Sequence, residues 1–73
     1  MDPNANLAHQ AILLAKGEAL TVTQRRELAE YRRALLGWLS AGGFQPDWQQ
    51  FPDAAKAYKA WVRKYRKFQD LAR

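Results

Sequence analysis

Helix breakers partition this chain before any other feature does. Gly17, the pair Gly42-Gly43, Pro46 and Pro52 mark off three stretches, 1–16, 18–41 and 53–73, with Pro3 near the start of the first and a lone Gly37 inside the second. Glycine supplies the left-handed backbone that ends a helix. Proline cannot sit inside one, because it lacks an N–H and its ring collides with the preceding turn. Each stretch carries an apolar repeat at helical spacing. The chain therefore reads as all-α: a small three-helix bundle in a single domain, residues 1–73.

In the first stretch, Asn4 or Asn6 is expected as the N-cap. Leu7, Ala11 and Leu14 fall on one face, and Lys16 stands at the negative end of the dipole. Residues 1–6 are expected to be flexible. A helix this short is marginal in water and either packs or frays. The second stretch opens with Thr21 and, three residues on, Gln24, the spacing of a capping box. Leu28, Tyr31, Leu35, Trp38 and Leu39 then form an apolar stripe, with Arg26, Glu30 and Arg33 pointing away from it. The third is expected to start at Pro52-Asp53, with Asp53 as cap or first-turn acid, and to run to about Leu71.

Between the last two stretches lies "FQPDWQQFP", Phe44 to Pro52. Pro46 is placed to open a single helical turn carrying Asp47 to Phe51. Three large aromatics, Phe44, Trp48 and Phe51, are too many to leave wet. They are expected to plug the open end of the core or to form a docking patch, with Phe44 and Trp48 the candidates for partner contact.

Composition sets the means of stabilisation. There is no cysteine, so no disulfide or thiolate site can staple the fold. Three Trp, three Tyr and three Phe supply the bulk instead; each buried ring removes about 150–250 Å² from water. The longest strongly apolar run, Ala11 to Ala15, is far short of the roughly 20 residues that cross a bilayer. "MDPNAN" lacks the positive start of a signal peptide. A soluble cytoplasmic protein without membrane contact is expected.

Residue types that carry catalysis are sparse. His9 is the single histidine, and with no second ligand beside it, it anchors no metal. Gly42-Gly43 is not a phosphate loop, because no Lys-Ser/Thr follows it. Ser40 has no neighbouring base. Glu27 and Glu30 sit on an Arg-rich exposed face as ion-pair partners. We expect no enzyme, no cofactor, no metal and no small-molecule substrate.

Charge is the most informative compositional feature. The net charge is +5. Residues 1–52 hold five basic and five acidic side chains, whereas residues 53–73 hold seven basic and two acidic, so the whole excess lies at the end. Within it, "AWVRKYRKF" alternates aromatic and basic residues, as a single-strand binding groove would. Coiling at 100° per residue undoes the alternation. Lys56, Lys59, Arg63 and Lys67 fall within about 80° of arc on one side; Tyr58, Trp61, Tyr65 and Phe68 fall within about 80° on the opposite side. The rings are expected in the core, with the Tyr58 and Tyr65 hydroxyls at its rim. The bases, with Lys64 and Arg66 flanking them, are expected outside and facing an anionic partner. No acid interrupts them between Asp53 and Asp70. A helix-turn-helix reader is disfavoured: the link between the last two helices is long, and the basic helix offers no Asn, Gln, Ser or Thr before Gln69. Phosphate contact without sequence selection fits such a helix.

The whole chain, from "MDPNANLAHQ" through "GGFQPDWQQFPDAAKAYKAWVRKYRKFQDLAR", resembles the small RNA-polymerase-binding transcription regulators of lytic Xanthomonas phages. The likeness lies in length and overall character, including the Ala, Arg, Leu, Gln and Trp bias of a GC-rich genome. It implies contact with the large subunits of host RNA polymerase in the bacterial cytoplasm. It further implies inhibited initiation through sigma displacement, and antitermination. The resemblance rests on no residue motif and assigns no site. The candidates remain those of the charge and aromatic pattern: Lys56, Lys59, Arg63, Lys64, Arg66, Lys67, Phe44 and Trp48. "LTVTQRRELAEYRRALL", Leu20 to Leu36, is similar to a helix of phage tail-fibre assembly chaperones, with Phe51-Pro52 where those have Trp-Pro. The alternative functions are such a chaperone and a nonspecific nucleic-acid binder.

Overall fold

The computed structural model describes residues 1–71. Three α-helices, α1 (Pro3–Leu14), α2 (Val22–Ser40) and α3 (Pro52–Leu71), form an all-α bundle. Single 3-10 turns occupy Gly17–Ala19 and Trp48–Gln50. The second lies where a helical turn was expected, with Asp47 as its cap and Pro46 buried just ahead of it.

Local chemistry accounts for most boundaries. Thr21 and Gln24 form a reciprocal capping box at the start of α2, with bonds of 3.1 and 3.0 Å. At its other end the Gly43 N–H donates to the Trp38 carbonyl and the Gly42 N–H to the Leu39 carbonyl, with Gly42 at φ +88°. That pair of bonds is a Schellman termination. Gly43 is needed for a different reason: a Cβ there would fall 2.3 Å from the Trp38 ring. Pro52 occupies the first position of α3, where a missing N–H costs nothing. Asp53 is a first-turn acid.

The start of α1 differs from expectation. Neither Asn4 nor Asn6 caps it. Asp2 does, accepting from the Asn4 and Ala5 N–H groups at 2.9 and 3.3 Å, with Pro3 at the first helical position. The asparagines are freed for tertiary work. Asn4 Oδ1 accepts from the Asp47 N–H at 2.7 Å, tying the far loop to this end of the bundle. Asn6 is buried and donates to the Tyr31 carbonyl at 3.0 Å, while its own oxygen accepts from Gln10 at 2.8 Å. Residues 1–6, expected to be flexible, thus include the buried Pro3 and Asn6.

α1 is the wedge of the bundle. It packs against both α2 and α3, which meet each other far less. The buried set is Leu7, Leu13, Leu28, Leu35, Ala54, Ala55 and Tyr58, joined by Pro3, Asn6, Gln10 and Pro46. Leu7 and Leu35 are wholly inaccessible. Ala11 and Leu14, expected on the inner face of α1, are only half-buried. The face turns instead through Pro3, Asn6, Gln10 and Leu13. His9 lies on the surface with its ring stacked on Tyr31 at 5.1 Å.

The aromatic face of α3 is covered only in part. Tyr58 is 3 % exposed, Trp61 and Tyr65 are half-buried, and Phe68 is 71 % exposed. Phe68 was expected in the core, and the reason it is not is length. Twelve residues of α1 reach about 18 Å, whereas twenty of α3 reach about 30 Å. Ala11 and Leu14 at the end of α1, with Ala15 just after it, line one pocket with Pro52, Asp53 and Ala54 at the beginning of α3. The C-terminal half of α3 runs on beyond the wedge.

Candidate functional site

The basic stripe and one loop aromatic converge. Lys56, Lys59 and Arg63 project from successive turns of α3, and the 3-10 turn after Asp47 carries Trp48 up beside them. Together with Gln49, Pro52, Ala55 and Ala60 they line an open groove of about 480 Å³. The turn is held by Asp47, which caps it through Gln49, and by Gln45, which accepts from the Trp48 indole N–H at 2.8 Å. Trp48 is therefore positioned on a braced segment.

Its ring is already engaged. The Tyr58 ring stacks on it at 5.6 Å, and the Lys59 ammonium lies 4.9 Å from its centroid. A cation over an indole face is attracted by the ring quadrupole. The stack continues along α3, from Tyr58 to Trp61 at 6.2 Å and from Trp61 to Tyr65 at 4.9 Å. Four rings thus form one ladder from the loop to the middle of α3. Both Tyr58 and Lys59 would compete with a nucleobase for the Trp48 ring.

The other candidates lie apart. Lys64 and Lys67 are exposed and outside the groove. Arg66 lines a different one, between α2 and α3. Phe44 is 61 % exposed and belongs to the end of α2, where it meets Trp38 edge-on at 5.5 Å. The Trp38 indole donates to the Phe44 carbonyl at 2.9 Å. Phe44 and Trp48 therefore do not form one patch.

Residues that the charge pattern missed are small or apolar. Ala55 and Ala60 sit between the bases and give the groove its depth; their only signal is the small-residue spacing within a Lys-rich run. The Tyr58 hydroxyl, expected at the rim, is buried without a hydrogen-bond partner. Burial pushes its pKa up, and the charge of Arg66 pulls it the other way. The half-buried Arg32 also has a partnerless Nε, and burial lowers the pKa of its guanidinium.

No group of His, Asp and Glu fit to hold a metal occurs among the described residues, and no helix among them is long and apolar enough to cross a membrane. Compared with protein-family models, curated proteins and solved structures, the chain matches none.

Proposed function

We propose that this chain is a non-catalytic regulator that docks on an acidic protein surface through α3. Its partner is bacterial RNA polymerase, the large subunits that the whole-chain resemblance names. Binding there would act on transcription by opposing sigma and by favouring read-through of terminators. The observation that carries the docking mode is the convergence of Lys56, Lys59 and Arg63 on one groove beside the braced Trp48. Three like charges within two helical turns weaken the free helix; an anionic surface removes that penalty. Because sidewalls of Trp48, Pro52 and alanine accompany the charges, the groove suits a protein surface that offers apolar as well as acidic groups.

Purified Xanthomonas RNA polymerase and the full chain should co-elute in size-exclusion chromatography. Lys56→Glu with Arg63→Glu should abolish co-elution while leaving the circular dichroism spectrum unchanged. Wild-type chain that is folded yet elutes alone would refute the proposal. The second reading, a nucleic-acid binder, draws on the same cations. It predicts affinity that falls steeply with salt, with a log–log slope of about 0.9 per phosphate contact on duplex DNA.

A further inference from the structure

Because α1 holds the other two helices apart, α2 and α3 leave a groove between them. Leu36, Leu39 and Ser40 form one wall; Tyr58, Val62 and Arg66 form the other, with Lys59 at the edge. Its volume is about 240 Å³, room for one or two side chains rather than for a cofactor. Three observations bear on what it takes. The apolar residues Leu36, Leu39 and Val62 are only half-buried, so the chain itself does not fill the space. The Tyr58 hydroxyl is shut off from water and has no hydrogen-bond partner, although Tyr58 is 3 % exposed. A buried donor without a partner forfeits its hydration and regains nothing, which leaves an unused donor on a residue that lines the groove. Finally, both charged residues that line the groove, Lys59 and Arg66, are cations.

We propose that the groove seats an acidic, apolar-anchored peptide segment of the protein partner: one aliphatic or aromatic side chain enters between Leu36, Leu39 and Val62, and a neighbouring carboxylate accepts from the Tyr58 hydroxyl while pairing with Arg66. This deepens the docking function proposed above and rests on it, in that it names the chemistry of the segment the partner supplies. Arg66 lines the same groove and its charge acts on the Tyr58 hydroxyl, so the seating proposed here includes opening a path to that hydroxyl. The occupant is not a second copy of the chain. Each copy carries +5, all of it from residue 53 onward, so pairing α3 with α3 opposes like charges. The apolar walls also distinguish the groove from the Trp48 side of α3, where Lys56, Lys59 and Arg63 offer three cations.

The test is NMR titration of the full isotope-labelled chain with acetyl-Glu-Leu-Glu-Phe-amide and with its counterpart acetyl-Gln-Leu-Gln-Phe-amide. The acidic peptide should shift the Leu36, Leu39 and Val62 methyls and the Tyr58 ring, and should bind more tightly than the glutamine peptide. Tyr58→Phe should weaken the acidic peptide about tenfold, the scale of one hydrogen bond to a charged acceptor. The same variant should leave the urea midpoint of the free chain unchanged or raised, since its hydroxyl bonds to nothing there. Arg66→Gln should weaken the peptide without unfolding the chain. Equal binding of the two peptides, shifts confined to Lys56 and Arg63, or Tyr58→Phe with full affinity would each overturn the proposal. So would a thymidine decanucleotide that displaces the peptide from the Leu36 and Val62 methyls, which would assign the groove to nucleic acid. Polymerase that binds wild type and Tyr58→Phe alike would remove this inference and leave the docking function standing. Polymerase that fails to bind while the acidic peptide seats as described would refute the polymerase function proposed above and leave the groove's preference for an acidic, apolar-anchored segment standing.

Discussion

α1 and α3 divide the molecule between them in a way that their sequences invert. α3 is the longer helix and separates its aromatic and basic faces cleanly, so it reads as the principal core element. α1 is short, and its inner face carries two amides, yet it supplies the inaccessible Leu7 and contacts both other helices. α3 buries Ala54, Ala55 and Tyr58, then leaves Phe68 and Leu71 in solvent. The lesson is that amphipathicity says which side of a helix is suited to burial. How much of that side is buried depends on the length and position of what packs against it.

Stability measurements can break this contrast. The largest effect is expected at Leu7. Leu7→Ala should cost about 2–5 kcal/mol, the range for a fully buried large-to-small change, whereas Phe68→Ala should stay within about 0.5 kcal/mol. Urea midpoints of the two variants decide; equal losses would mean that α3 is packed along its whole length. Asn6→Ala comes next. It removes an extra donor to the Tyr31 carbonyl and the acceptor for Gln10, leaving the buried Gln10 amide unpaired at about 1–3 kcal/mol. Asp2→Ala should cost about 1 kcal/mol by uncapping α1. A loss at Asn4→Ala instead would report the tie to Asp47, and the pair of variants separates capping from tethering.

The smallest effect is a pH dependence carried by Tyr58. Its native pKa is raised above the ordinary value. In the unfolded chain the hydroxyl ionises near pH 10, while the folded chain holds its proton, so the unfolded form is favoured as pH rises. Stability from this residue is intact below about pH 10 and declines as the pH climbs toward the raised native value. The urea midpoint of Tyr58→Phe relative to wild type should therefore increase above pH 10 and be constant below it.

The Trp48 groove and the α2–α3 groove differ in how far the sequence foretold them. Lys56, Lys59 and Arg63 could be placed on one face by arithmetic alone, because a helix repeats regularly. Trp48 could be named as a surplus aromatic. That it lies beside those bases depends on the bond from the Asp47 N–H to Asn4, across 43 residues, and no local rule gives that pairing. Arg66, only three residues beyond Arg63, ends up in the other groove. Phe44 goes to Trp38 for a similar reason: the Schellman turn at Gly42-Gly43 folds the chain back over the end of α2.

What the sequence determined by itself is local. The capping box at Thr21, the glycine termination after Ser40, Pro52 at the head of α3 and the sorting of α3 into two faces all follow from short-range sterics and backbone hydrogen bonding. Those interactions span four residues or so and are complete within any window of that size. Tertiary structure decided the rest: α1 as the wedge, Asn4 and Asn6 as tethers rather than caps, Phe68 outside, and the Tyr58 hydroxyl dry and unpaired. Each of these depends on which surface arrives from a distant part of the chain and how far it extends, and helical periodicity carries no information about either.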